Sequence, residues 1–410
     1  MAPTIEQGSD LRCESFRLGP FVVPRVWTGL WQLSSNAWGS APVAKVRQGM
    51  ARHVRLGYTA FGDLSILGPT IIVSNQHHRY GAVSVIRRGV NCLNSLRTLP
   101  DSTIRVSKAD HYGSAEIIFG QFRESLPPAE KVVGATKWCV FKHINPSRSV
   151  VLAAVQERME RMRTNRVDLL QFHWQDYSDK GYLTALNELH VLKEEGLISA
   201  IGLCNFDAIR TDEICTVLGR GAIVSNQVQV GPNFSHSSGN RLHSLLQFSV
   251  IDTRPLHGMS DVCERHDLKL LTYGTLCGGF LGDKWLGAPE PDLYSGNLTP
   301  SQRKYLDMIV KAWGSWELFQ ELLVILHRIG HQHDGRSIAN VATRWVLDHR
   351  FVGAVIIGAR LGLSEHPDEN RRVFGFTLTE EDNQDIEVVL AKSNGRRLIT
   401  TIGDCGAEYR

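Results

Sequence analysis

The stretch RVDLLQFHWQDYSDKGYLTALNELHVLKEEGLISAIGLCNF, Arg166 to Phe206, reads as strand, helix, strand. RVDLLQFH and ISAIGLCNF are apolar almost throughout, and an amphipathic helix through TALNELHVLKEEG joins them. Strands of that kind are buried on both faces, the condition of a parallel sheet covered by helices. The unit recurs in both directions. Upstream, KVVGATK is a short β-branched run, and Ser147 opens a helix carrying Val151, Val155, Met159 and Met162 at helical spacing. Downstream come a helix through Cys215, then AIVSNQVQ, LKLLTYG and VGAVIIGA. Before the last of these, Arg336 to His349 presents Ile338, Val341, Ala342, Trp345 and Val346 as an apolar stripe.

Counting back through Val26 to Gly29 and Gly57 to Phe61 gives eight strands. An eight-fold α/β alternation with right-handed crossovers favours a closed (β/α)8 TIM-type barrel over an open doubly wound sheet. The leading FRLGPFVVPRVW, with its turn at Gly19-Pro20, forms an N-terminal β-hairpin on the barrel floor. The expectation is one barrel domain over residues 16–393, with tails at 1–15 and 394–410.

Composition narrows the function classes. The 410 residues are 42% hydrophobic and 21% charged, with 45 basic against 42 acidic residues and a net charge of +3. That balance gives no broad surface for nucleic acid or anionic membrane. No run approaches the roughly 18 apolar residues of a membrane span, and MAPTIEQGSDLRCES is polar rather than signal-like. A cytoplasmic location is expected. Eight cysteines without a CxxC pair suggest reduced thiols rather than zinc or disulfides, and the adjacent His77 and His78 lack ligand spacing, so no metal is expected.

Polar residues gather at the C-terminal ends of the strands: Lys137, His173, Asn205, Gln227 and Tyr273. Barrel enzymes keep their chemistry there. A tyrosine, a lysine and a histidine at one mouth suggest proton transfer to a carbonyl oxygen. Free tyrosine, with a pKa of about 10, is a poor acid at neutral pH; a neighbouring ammonium lowers that value, and a histidine orients the carbonyl or relays the proton. No GxGxxG fingerprint is present, which argues against a Rossmann domain.

ADHYGSAE, GATKW, DLLQFHW, GLCNF, SNQVQ, LLTYGTLCGGFLGDKW and VIIGARLGLSEHPDENRRVF resemble, in order and spacing, the aldo-keto reductases. The resemblance covers roughly Phe16 to Leu390 apart from two interruptions. It implies a barrel that binds NADPH in extended form and reduces a small-molecule aldehyde or ketone by hydride transfer. It further implies Tyr112 as general acid, Lys137 as the ammonium that lowers its pKa, and His173 as the partner near the substrate oxygen. Asn205 and Gln227 resemble the pair that bonds the nicotinamide carboxamide, with Cys204 standing where many relatives have serine. Tyr273 resembles the ring under the nicotinamide; Gly274, Leu276 and Gly278 the pyrophosphate loop; Arg360, Glu369 and Asn370 the adenosine end. Gly358 and Ala359 offer only backbone, leaving Arg360 as the charge for the 2′-phosphate. Trp138 and Trp174 flank the pocket, either as an apolar substrate wall or as core, and His111 reads as a loop residue rather than a second acid.

The family carries an aspartate after the second strand, and counting back from Tyr112 puts it at Ser107. The strand it should follow ends at Phe61, so LGYTAF and ADHYGSAE are two halves of one strand and loop, parted by residues 62–108. Asp63 is the stand-in for the missing carboxylate. A second insertion, residues 230–247, follows SNQVQ; valine codons begin GT and a glutamine codon reads CAG, the boundaries of an in-frame retained intron. A functional lid or a tolerated loop is the other explanation. Two functions follow: an NADPH-dependent carbonyl reductase, or an impaired NADPH-binding barrel acting as a regulatory or redox-sensing subunit. The aspartate separates them.

Overall fold

The computed structural model describes residues 13–34, 39–62, 114–228, 248–293, 296–398 and 400. Strands β1 (Ser15–Leu18) and β2 (Phe21–Pro24) form the antiparallel hairpin, with Leu18 opposite Phe21 across Gly19 and Pro20. Eight further strands are β3 (Val26–Gly29), β4 (Ala60–Gly62), β5 (Val133–Val140), β6 (Val167–Trp174), β7 (Ile198–Cys204), β8 (Ile223–Val228), β9 (Lys269–Tyr273) and β10 (Val352–Gly358). They close in the order β10-β3-β4-β5-β6-β7-β8-β9, every neighbouring pair parallel. The (β/α)8 barrel with an N-terminal hairpin is therefore the fold.

The helices are α1 (Val43–Arg55), α2 (Ala115–Glu124), α3 (Arg148–Arg161), α4 (Gly181–Glu194), α5 (Ala208–Leu218), α6 (Met259–His266), α7 (Pro300–Asp307), α8 (Trp316–Gln332), α9 (Ile338–Leu347), α10 (Pro367–Arg371) and α11 (Glu380–Leu390). Ser147 stands at the N-cap of α3. On α9, Ser337 and Asn340 cap each other's backbone N–H groups, and Ile338, Val341, Ala342, Trp345 and Val346 are all buried. No helix among the described residues is long and apolar enough to cross a membrane.

Alternation along the strands splits the core in two. Trp27, Ala60, Ala135, Leu169, Ala200, Leu271 and Ala354 pack together inside the barrel, with Leu18 and Val23 of the hairpin. Leu170, Phe172, Trp174, Ile201 and Leu203 belong to the larger layer between strands and helices. Two expectations change here. Trp138 and Trp174 lie in that outer layer, either side of Phe172 with ring centroids 5.2 and 5.9 Å away. Strand alternation turns them away from the barrel mouth, so they are core. The second strand is also shorter than LGYTAF: Gly57, at φ +93°, turns the chain out of α1, and Tyr58 is spent on packing, its hydroxyl donating to the Pro367 carbonyl at 2.7 Å.

Candidate active site

Strand β5 delivers Lys137, which is fully buried. Its Nζ lies 5.6 Å from the centroid of the Tyr273 ring. Strands β5 and β9 are four places apart in the closed order of eight, so this side chain crosses the barrel interior. An ammonium over the π face of a tyrosine is attracted by the ring quadrupole, more strongly where water is excluded.

His173, between the outward-facing Phe172 and Trp174, points the other way, into the mouth. Its Nδ1 lies 2.9 Å from the Cys204 carbonyl oxygen. A carbonyl only accepts, so in the neutral ring Nδ1 carries the proton and Nε2 presents a lone pair. Burial pushes the imidazole pKa down to about 4; the Cys204 carbonyl opposes this and the Lys137 charge adds to it. The ring is neutral at physiological pH.

Next to it, Asn205 adopts φ +62°, a left-handed conformation that asparagine tolerates better than most residues. Its N–H donates to the Gln227 carbonyl at 2.9 Å, and its own carbonyl accepts from the Tyr177 hydroxyl at 3.2 Å. Gln227 is fully buried, and neither atom of its carboxamide has a partner among the described residues. A buried amide with both functions unused is suited to a ligand that is itself an amide, which is how the residues fit a nicotinamide group. After Tyr273 the chain runs through left-handed Gly274, Cys277, Gly278 and Gly279. A Cβ on Gly278 would come within 2.7 Å of the Tyr305 ring and 3.2 Å of the α7 backbone, so the loop packs directly against the first turn of α7. Leu276 leads into this turn, and Thr275 ties it to Phe248 through a 3.1 Å hydrogen bond.

At the end of β10, Gly358 and Arg360 are exposed, and Arg360 bridges back to Ser364. A Cβ on Gly358 would strike the Gln32 amide at 2.1 Å. Glu369 and Asn370 lie on α10, where Asn340 Nδ2 donates to the Glu369 carbonyl at 2.9 Å. Glu369 Oε1 is buried without a partner among the described residues. Strand ends thus bring Lys137, His173, Cys204, Asn205, Gln227 and Tyr273 to one mouth. Tyr112, Asp63, Ser107, His111, the His77–His78 pair, residues 63–108 of the first proposed insertion and all of the second lie outside the described residues; Gly62, expected as the first inserted residue, instead ends β4, paired with Gly29.

Sequence reasoning missed three features. Phe141, just beyond β5, is 46% exposed with its ring centroid 5.9 Å from that of His173, an apolar surface at the mouth. The fully buried carboxylate of Glu116 on α2 accepts hydrogen bonds from Thr136 Oγ1 and Arg161 Nε, and Arg158 Nε donates to the Lys137 carbonyl at 2.8 Å. Third, Gln171 precedes His173 by two positions and so shares its inward face. Period-two alternation in DLLQFH was the available signal for it; nothing in the sequence signalled Glu116.

The model of the Aldo/keto reductase family matches residues 105–391. Among curated proteins, the aldo-keto reductase YhdN of Bacillus subtilis (strain 168) is 25% identical over 299 residues, covering 70% of this chain and 78% of that protein. The flagellar radial spoke protein 5 of Chlamydomonas reinhardtii is 26% identical over 296 residues, with the chain spanning 52% of its length. Among solved structures, a glycerol dehydrogenase of Gluconobacter oxydans superposes with a TM-score of 0.61 at 20% identity, covering 92% of this chain and 95% of that one. An aldo/keto reductase of Klebsiella pneumoniae, solved with NADP and acetate, gives 0.57 at 14% identity and covers 92% and 96%. These two show the fold.

Proposed function

Because the chain belongs to the Aldo/keto reductase family, we propose that it reduces an aldehyde or ketone to an alcohol with NADPH. The observation that carries this reading is the buried Lys137 ammonium, set against the Tyr273 ring in the mouth that neutral His173 also faces. When bound, NADPH supplies the hydride. Gln227 and Asn205 hold the carboxamide end of the cofactor, Tyr273 supports its ring, and the Gly274 to Gly278 loop passes its pyrophosphate. Glu369, Asn370 and Arg360 take the adenosine end, with Arg360 providing the charge for a 2′-phosphate.

Tyr112 donates the proton to the carbonyl oxygen, and the Lys137 ammonium eases its departure by favouring the phenolate. With Nδ1–H committed to the Cys204 carbonyl, His173 acts as an acceptor through Nε2. That suits it to orient the phenol or the product hydroxyl, not to donate to the substrate. Phe141 gives the substrate an apolar surface beside this imidazole.

The test uses purified full-length chain, NADPH and an aromatic aldehyde. Tyr112→Phe is expected to lose about 100-fold to 10,000-fold in kcat while NADPH still quenches protein fluorescence. Fluorescence that millimolar NADPH leaves unchanged would defeat the cofactor assignment; unchanged turnover would defeat the acid. A second reading, an NADPH-binding barrel with impaired turnover in a regulatory or redox-sensing role, rests on Ser107 standing where the family has its aspartate. It expects the same quenching with negligible turnover in the unmutated chain.

A further inference from the structure

The turn that leaves β7 is held at each of its residues. Asn205 is buried and left-handed at φ +62°, a conformation that a residue with a Cβ adopts at a cost. Such a conformation persists where the surroundings over-determine it, and it gathers at functional sites. Several contacts do so here. The Asn205 N–H donates to the Gln227 carbonyl at 2.9 Å, and the next carbonyl, of Phe206, accepts from Asn226 Nδ2 at 2.8 Å. Asp207 then caps α5, its side chain accepting from the Arg210 N–H at 2.6 Å. These partners come from β8 and α5, next to the turn. The Asn205 carbonyl, one residue beyond the strand, is reached from elsewhere: the Tyr177 hydroxyl donates to it at 3.2 Å from the loop between β6 and α4. A buried carbonyl that has left its sheet needs such a donor.

Tyr177 is itself fixed on both sides. Trp174 Nε1 donates to the Asp176 carbonyl at 2.8 Å, and Asp176 Oδ1 accepts from the Ser178 N–H at 2.9 Å and from its hydroxyl at 2.6 Å. An aspartate bonded to the backbone two residues on closes a turn, and Tyr177 stands at its centre. The ring stacks on Phe206 with centroids 5.5 Å apart and planes 23° from parallel, and meets Tyr182 at 6.0 Å. The Arg210 guanidinium lies over the ring, 5.4 Å from its centroid, and 3.6 Å from the Asp207 carboxylate. Phenylalanine would keep each of these ring contacts. The hydroxyl adds the bond to the Asn205 carbonyl.

We propose that Tyr177 is a positioning residue for the nicotinamide end of the cofactor, its hydroxyl fixing the backbone from which Asn205 presents its side chain to the mouth. A carbonyl cannot turn without changing ψ of its own residue, and the rotamers open to a side chain depend on that backbone. Loss of the hydroxyl therefore loosens Asn205. The adenosine end lies on the loop and helix after β10, three places from β7 in the closed order, and is left as it was. Trp174 acquires a task as well: from the outer layer it holds the turn that carries Tyr177. The binding part rests on the carbonyl-reductase reading, which gives Asn205 to the carboxamide; the backbone part does not.

The test compares the full-length chain with Tyr177→Phe in two arms. In the first, NADPH and adenosine 2′,5′-bisphosphate, which has the adenosine end and no nicotinamide, are titrated separately. The variant is expected to raise the NADPH Kd about threefold to tenfold, the range of one lost hydrogen bond, and to leave the bisphosphate Kd within about twofold. A merely structural role would weaken both ligands alike. That result, or an NADPH Kd within about twofold, overturns the proposal. In the second arm, amide hydrogen exchange is followed without ligand. The Asn205 amide should exchange faster in the variant while those of β10 do not change; unchanged exchange at Asn205 overturns the backbone route whatever the ligands do. A variant that does not fold would make the hydroxyl part of the fold and would equally overturn the proposal. If the unmutated chain binds no nucleotide, the function reading fails, and exchange at Asn205 alone decides.

Discussion

Replacing Glu116 by alanine tests whether the back of β5 is braced for the sake of the site. The carboxylate is fully buried, with Thr136 Oγ1 bonded to one oxygen and Arg161 Nε to the other. Removing one partner of a buried pair is destabilising by about 3–5 kcal/mol. The Arg161 side chain keeps 23% exposure and can turn to water, which argues for the low end. Thr136, fully buried, loses its acceptor, an effect of about 1 kcal/mol or more. The sum is about 4 kcal/mol, or a drop in Tm of roughly 8 °C at about 2 °C per kcal/mol for a chain of this size. Rate should follow. Thr136 is the residue before Lys137, and Glu116 lies four residues after Tyr112, so one carboxylate ties the segment bearing the proposed acid to the strand bearing the ammonium. A displacement of about 1 Å at such a pair lowers the rate roughly 100-fold. Circular dichroism melts and steady-state reduction of an aromatic aldehyde, measured below the melting range, give both quantities. Glu116→Gln keeps an acceptor for Thr136 and should fall between. A lowered Tm with kcat/KM within twofold would refute the tie to the site, and an unchanged Tm would refute the burial argument itself.

Two further outcomes are expected. Burial holds His53 and His173 down to about 4 from 6.5; the unfolded chain binds these protons first, so stability is complete above pH 6.5 and is lost as pH falls towards 4, by about 2 kcal/mol per histidine at pH 5. Urea melts at pH 7 and pH 5 should show this, and His53→Phe should flatten the slope; a flat profile in the unmutated chain contradicts it. Deleting residues 230–247 and 62–107, with an aspartate restored after Phe61, should raise NADPH-dependent reduction at least about tenfold without changing the fold, since loop closure depends only weakly on length; equal activity in the full-length chain removes the support for retained intron sequence.

The barrel was legible because parallel strands buried on both faces leave a mark that survives any detail of packing. RVDLLQFH could be nothing else once a helix and a second such strand followed it. The misplaced start at LGYTAF shows where that mark fails: Leu56 and Gly57 belong to the turn out of α1, and an apolar run cannot separate a helix end from a strand start. Trp138 and Trp174 were ambiguous for a related reason. A residue next to a site residue along a strand faces the opposite side, so proximity in sequence to Lys137 and His173 pointed to the helix layer and not to the pocket. Glu116 and Arg158 were out of reach because they act from helices on the outside of the sheet, through bonds to the hydroxyl of Thr136 and the backbone of Lys137 that leave no periodicity.

Lys137 is consequently braced from the helix layer. From outside, Arg158 fixes its carbonyl and Glu116 fixes its neighbour, so the strand cannot shift without breaking buried polar contacts. Inside, Gln171 and Ser225 lie buried without hydrogen-bond partners among the described residues. The outer brace and the inner polar row differ in what their loss does. A backbone brace is part of the fold, so its removal lowers stability and rate together. An interior polar row is a liability to the fold, because apolar residues of the same shape pack there with no polar groups to satisfy. Gln171→Leu should therefore leave Tm level or higher, and a lowered Tm would refute this. Glu116→Ala and Gln171→Leu should then move Tm in opposite directions, which separates the polar contacts the barrel needs in order to stand from the polar groups it carries without partners.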